Sequence, residues 1–256
     1  MNKEELNKII NQYYSFDNLI KEKFEFEEDE KFDLVIISPT WKPIFIFDEE
    51  YEIENLKKGS TATYRLKHKD KKILFIKIGK GAPCMYDNLL LLRNIESPYI
   101  FLGSAGSLSS EVNIGDIFIP DYAISGDGAS LYFSEEIIGE NIFKNVLFDS
   151  FMKNRIENIA NQIGIVTKSG GVYSTDTLIG EYYHLKKIMK MNVSTIEQET
   201  AAFGKCMQIM QKKGLPILVI SDSLITGQNY YEPRQNKVEY IKTREKKLQK
   251  IISRLY

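Results

Sequence analysis

Residues 99–108 read YIFLGSAGSL. A run of large apolar residues gives way at once to glycine, serine and alanine. A run without alternation is what a strand buried on both faces requires, and small flexible residues mark where it stops. The stretch reads as a buried strand entering a glycine loop. The same signature recurs to either side. DLVIISP (33–39) is a β-branched run stopped by Pro39, and LPILVISDSL (215–224) is a longer one that ends in Ser221 and Asp222. IGDIFIPDYAI (114–124), IVTKSGGVYST (165–175) and the short VSTIEQ (193–198) predict further strands. IFIFDEEYEI (44–53) and STATYRLKHKDKKILFIKIG (60–79) alternate apolar and polar residues, which predicts strands and a hairpin turning near 67–72.

Between the strands lie segments with helical spacing: APCMYDNLLLLRNI (82–95), residues 140–164, YYHLKKIMKM (182–191) and ETAAFGKCMQIMQKKG (199–214). Alternating strands and helices predict an α/β fold, with a central mixed, mostly parallel sheet flanked by helices. No Pro/Gly/Ser-rich linker, repeat or low-complexity tract divides the chain, so residues 1–256 read as a single domain. Residues 1–30 form a helical lead-in to it, and residues 234–256 a basic C-terminal helix whose charges face solvent.

The composition excludes several functions. Hydrophobic residues make up 43% of the 256, enough for a sizeable core, and the formal net charge of −1 gives no field that would draw the chain to nucleic acid or an anionic membrane. No apolar run approaches the roughly 20 residues that cross a bilayer. Two cysteines, Cys84 and Cys206, and two histidines offer no metal-ligand spacing and no disulfide framework, so a cytoplasmic protein without a metal is expected.

What remains is a set of carboxylates and small residues at strand ends, where ligands bind in α/β folds. TIEQETAA (195–202) places Glu197 and Glu199 where a strand turns into a helix, and Asp222 closes a run that reads as buried. A carboxylate in such a place costs free energy unless it has a partner or a task. Capping the helix is a sufficient task for one glutamate; it does not account for Asp222, which with Ser221 could itself cap a following turn. Gly79, Lys80 and Gly81 follow another strand, and Gly103, Ser104 and Gly106 could bring backbone N–H groups and a hydroxyl to an anion. Asp176, beside Ser174 and Thr175, reads equally as a turn and as a site residue.

In chain order these stretches are GSAG (103–106), SGDGASLYF (125–133), YSTDTLIGE (173–181), IEQETAA (196–202) and ISDSL (220–224). Together they resemble the nucleoside phosphorylase superfamily, which includes purine nucleoside phosphorylases, uridine phosphorylases and methylthioadenosine nucleosidases. The resemblance covers roughly residues 74–224. It implies cleavage of the bond between a base and ribose, with a small nucleoside as the only ligand and no cofactor. It also implies a homo-oligomer.

Residue by residue, the resemblance makes Glu199 the acceptor of the ribose hydroxyls, with Gln198 and Ser104 beside the sugar. Asp222, oriented by Ser221, becomes the acid that protonates a purine-like leaving base. Gly79, Lys80, Gly103 and Ser104 would hold phosphate or the attacking water. Tyr173, Asp176 and Leu178 would line the base. Gln198 stands where relatives usually have Met, and Leu178 where they have an aromatic residue. Phe101 and SPTWKP (38–43) stand where phosphorylases carry arginines, and SPTWKP also lacks the acid that hydrolytic members use; Asp48, Glu49 and Glu50 come later. Phosphate, as a co-substrate, is the first expected acceptor. Hydrolysis, or a weakly active nucleoside-binding module, is the alternative.

Overall fold

The computed structural model describes residues 1–13, 19–134, 137, 139, 142–228 and 237–256. The parts of the predicted elements at 14–18, 140–141 and 234–236 lie outside these, as do the side chains of 237–240, 242 and 243. Strand β1 (Leu34–Ser38) is buried at every position. Val35 and Ile37 enter one apolar cluster, Leu34 and Ile36 another. Successive side chains leave a strand on opposite faces, so an unbroken apolar run demands cover on both. On one face the cover comes from α1 (Lys3–Tyr13), α2 (Leu19–Phe24), α3 (Ala82–Leu89) and α6 (Thr200–Met210). On the other it comes from α4 (Ser150–Gln162) and α7 (Lys237–Ile252).

The sheet is mixed, and its longest ladders are parallel. Strand β5 (Tyr99–Ser107) runs parallel to β1 on one side and to β10 (Gly214–Ser223) on the other. β10 pairs antiparallel with β6 (Ile117–Gly126), and β6 runs parallel to β8 (Thr167–Thr175). β8 then runs parallel to β9 (Thr195–Glu197), which returns antiparallel to the end of β5. These strands close on themselves, so the ends of β5, β9 and β10 converge. On the other side of β5 the sheet continues open. β1 pairs with β4 (Lys71–Lys77), β4 with β3 (Ala62–His68) and β3 with β2 (Glu52–Lys57). The short β7 (Asn145–Leu147) lies against β6.

Four expectations are corrected. GSAG (103–106) is not a loop: it continues β5, paired with β10 as far as Ser223↔Ser107. Small residues fit a strand there because other chains approach closely. A Cβ on Gly103 would lie 2.9 Å from the Phe101 ring, and one on Gly106 2.7 Å from Leu224 and 3.2 Å from an Asp222 oxygen. Residues 44–51 are not a strand. Pro43 opens a single 3-10 turn (Pro43–Phe45), and the Asp48 carboxylate takes the Glu50 N–H at 3.1 Å, so pairing begins only at Glu52. The helix expected over 140–164 begins at Ser150, where Asp149 caps it by accepting from Met152 N at 2.7 Å, and residues 145–147 before it are β7. In α7, Lys246, Lys250 and Arg254 face solvent as expected, but Arg244 is buried with its guanidinium 5.2 Å from the Trp41 ring.

Candidate active site

The two glutamates of TIEQETAA have divided the tasks. Glu197 ends β9 fully buried, and its carboxylate accepts from Glu199 N and Thr200 N, both at 2.7 Å, and from Ser174 Oγ at 2.6 Å. Ser174 Oγ in turn accepts from Ala201 N at 2.9 Å. The first N–H groups of α6 are thus satisfied by a glutamate and a serine that stand before it, as a helix N-terminus requires. Glu199, although it occupies the cap position, makes no capping bond of its own. Its side chain is free to turn the other way, where Oε1 accepts from Gly81 N at 2.5 Å. Gly81 has φ +92°, a conformation L side chains rarely adopt, and this aims its N–H at Glu199 from the start of α3.

Burial raises the pKa of both glutamates, and each charge opposes the other. At Glu197 the hydrogen bonds donated by Ser174, Glu199 N and Thr200 oppose that rise. At Glu199 burial, then the charge of Glu197, push the pKa up to about 8, against the Gly81 N–H and Lys80, which pull it down. Glu197→Ala removes the acceptor from the α6 N-terminus and is expected to cost about 2–4 kcal/mol, read as a lowered denaturation midpoint. Glu197→Gln, which keeps one acceptor oxygen, is expected to cost less.

Asp222 reaches the same place by an irregularity in β10. Ile220 pairs with Ala105 and Asp222 with Gly106, so Ser221 is an extra residue in the ladder. A bulge of this kind lets neighbouring side chains share one side of a strand. Ser221 Oγ donates to Asp222 Oδ1 at 2.5 Å and fixes its rotamer. Ser104, on β5, stands across from Val219.

All of these line one cavity of about 630 Å³, with Glu199, Asp222 and Ser104 on its wall. Gln198, Leu178, Ser221 and Lys80 line it too. So do residues given no role from the sequence: Pro39, Thr40 and Trp41 after β1, and Glu181. Glu181 stands in the first turn of α5 (Leu178–Ile188), 5% exposed, and burial followed by the charge of Asp222 pushes its pKa up to about 7. An acid early in a helix is unremarkable in sequence, and nothing in STDTLIGE distinguishes a buried one.

Four expected site residues do not join this wall. Gly103 lies inside β5, closed in by Phe101 and Leu218. Gly79 donates its N–H to Pro39 O at 3.0 Å, which ties the loop after β4 to the end of β1, and only its neighbour Lys80 faces the cavity. Tyr173 is buried in a satellite apolar cluster and stacks on Phe143 at 6.3 Å. Asp176 accepts from Gly128 N at 2.8 Å and lines an adjoining cavity, which shares Lys80 and Gln198 with the first. Lys42 is exposed and does not line the cavity.

The description of the phosphorylase superfamily matches residues 42–255. The chain belongs to this superfamily. It is 29% identical over 188 residues to a DeoD-type purine nucleoside phosphorylase from Exiguobacterium sp. strain AT1b, covering 71% of this chain and 76% of that one. The 5'-methylthioadenosine/S-adenosylhomocysteine nucleosidase of Campylobacter jejuni shares its fold, with TM-score 0.70 at 15% identity over 86% of this chain and 96% of that one. The purine nucleoside phosphorylase of Toxoplasma gondii does so as well, with TM-score 0.69 at 18% identity over 89% and 91%. Phe101 is fully buried and stacks on Phe203 at 5.6 Å, and among the described residues Lys80 is the only cation on the wall.

Proposed function

We propose that this protein cleaves the N-glycosidic bond of a purine nucleoside, with phosphate as the acceptor. The observation that carries the reading is that Glu199 and Asp222, far apart in sequence, face one cavity while Glu197 has taken over the capping of α6. Ionised Glu199, oriented by the Gly81 N–H, accepts from the two ribose hydroxyls. Asp222 gives its proton to the imidazole-ring nitrogen of the base as the bond from C1' to the base breaks. The bonding electron pair leaves with the base, which departs neutral, and the ribosyl cation is stabilised by the carboxylate wall. An acceptor oxygen then forms the new bond at C1'. The reading calls for no metal or cofactor.

Lys80 and Ser104 are the groups in this wall suited to phosphate, and the phosphorylase relative at 29% identity supports that acceptor. Water is the second reading, favoured because no arginine lines the cavity among the described residues; an arginine fork is the usual match to phosphate geometry. Inosine and adenosine turnover measured with and without phosphate separates the two. Turnover that requires phosphate and yields ribose 1-phosphate is expected; phosphate-independent release of free ribose would replace phosphorolysis with hydrolysis. The same reading includes a homo-oligomer. Ile179 and Tyr183 on α5, each 87% exposed, lie in the helix that borders the cavity and are candidates for its contacts.

A further inference from the structure

Glu181 is the one cavity carboxyl that the proposed chemistry leaves without a task. Glu197 holds α6, Glu199 faces the ribose and Asp222 the leaving base. A carboxylate in the first turn of a helix is favoured by the helix dipole, but an exposed one would serve that purpose as well. Glu181 is instead almost wholly buried, and its Oε2 finds no hydrogen-bond partner among the described residues. A buried polar atom without a partner calls for an explanation, and a donor arriving with the substrate is the simplest.

The surroundings of Glu181 place it along the cavity. It shares the wall with Leu178 and Asp222, and its charged neighbour is Asp222. Glu199, in contrast, answers to Glu197 and Lys80. Glu181 therefore stands at the base end and Glu199 at the sugar end. In a purine the imidazole-ring nitrogen N7 and the substituent at C6 lie on the same edge. A carboxyl beside the acid that meets N7 consequently meets the 6-substituent.

Resting on the reading of Asp222 as that acid, we propose that Glu181 is a specificity-determining residue that accepts a hydrogen bond from the 6-amino group of an adenine-type base. The choice between amino and oxo follows from donor counting. An ionised carboxylate only accepts, and a protonated carboxyl still has an accepting oxygen. A 6-amino group, a donor, is satisfied by Glu181 in either state. A 6-oxo group, an acceptor, is satisfied only when Glu181 carries a proton, and faces repulsion otherwise.

The test compares kcat/KM for adenosine and inosine at pH 8, with phosphate present, in the wild type, Glu181→Gln and Glu181→Ala. The wild type is expected to prefer adenosine by about tenfold or more. Glu181→Gln, whose amide both donates and accepts, is expected to bring the ratio toward one, mainly through KM. Glu181→Ala is expected to lose adenosine activity about tenfold and inosine activity little. A thermal-shift comparison of adenine with hypoxanthine on the wild type adds a reading that needs no variant to fold, with adenine expected to stabilise more. A wild type that favours inosine, or a ratio that neither variant moves, overturns the proposal while leaving the glycosidic reading intact. A wild type that neither binds nor cleaves either nucleoside overturns both.

Discussion

Asp222→Asn is expected to lower kcat for purine nucleosides by about a hundredfold to ten-thousandfold, the range that positioned acid catalysis contributes, with little change in affinity. Asn fills the same volume, and its amide oxygen can still accept from Ser221 Oγ, which bonds Asp222 at 2.5 Å in the native chain. What the variant lacks is a proton to give. The loss should therefore fall on the chemical step and not on binding, so that kcat and kcat/KM drop together. A riboside whose leaving group departs without protonation, such as a nitrophenyl riboside, should be affected far less. A purine nucleoside turned over by Asp222→Asn at the native rate would remove the acid role from this residue.

The second large effect is expected at Glu199. Glu199→Gln exchanges a carboxylate that accepts from both ribose hydroxyls for an amide that does so weakly. Hydrogen bonds to a charged group are worth about 1.5–3 kcal/mol each, so losing two charge-assisted bonds predicts a fall in kcat/KM of a hundredfold or more. Affinity for the free base, which has no ribose, should not change. Equal losses for nucleoside and base would reduce Glu199 to a packing role.

The same residue predicts a pH dependence. Burial and Glu197 push Glu199 up to about 8, from an ordinary value of 4.5. A sugar that needs the ionised form binds more tightly as pH rises toward 8, and its binding in turn lowers the pKa. Fold stability moves the other way. A carboxyl whose folded pKa is raised holds its proton in the native state while the unfolded chain has lost it, so the stability it contributes falls as pH rises from about 4.5 to about 8. Glu181, pushed up to about 7, acts in the same direction over an overlapping range. Urea midpoints measured across this window, in the wild type and in Glu199→Gln, check the sign: the variant should show the smaller decline.

Much of this fold is written locally. DLVIISP, YIFLGSAGSL and LPILVISDSL each became a buried strand because an unbroken apolar run has no solvent-facing side to offer. The segments that misled did so for equally local reasons. IFIFDEEYEI alternates as a strand does, yet Pro43 and the Asp48 side chain turn the chain before pairing can begin. GSAG has loop composition, yet its small residues serve close approach within the sheet.

The candidate site divides along the same line. The sequence by itself determined where apolar runs give way to small and acidic residues, and hence Ser104, Glu199 and Asp222 as candidates, because hydrophobic periodicity is local; Gln198 and the role of Ser221 came from the resemblance of the motifs to the superfamily. Only the tertiary structure decided what each does. It gave the capping of α6 to Glu197, left Glu199 to the cavity, brought Asp222 round through an extra residue in β10, and buried Glu181 beside it while setting Tyr173 and Asp176 elsewhere. These outcomes depend on contacts between residues tens of positions apart, such as Ser174 with Glu197 and Gly81 with Glu199, and spacing along one chain carries no record of which partners will meet.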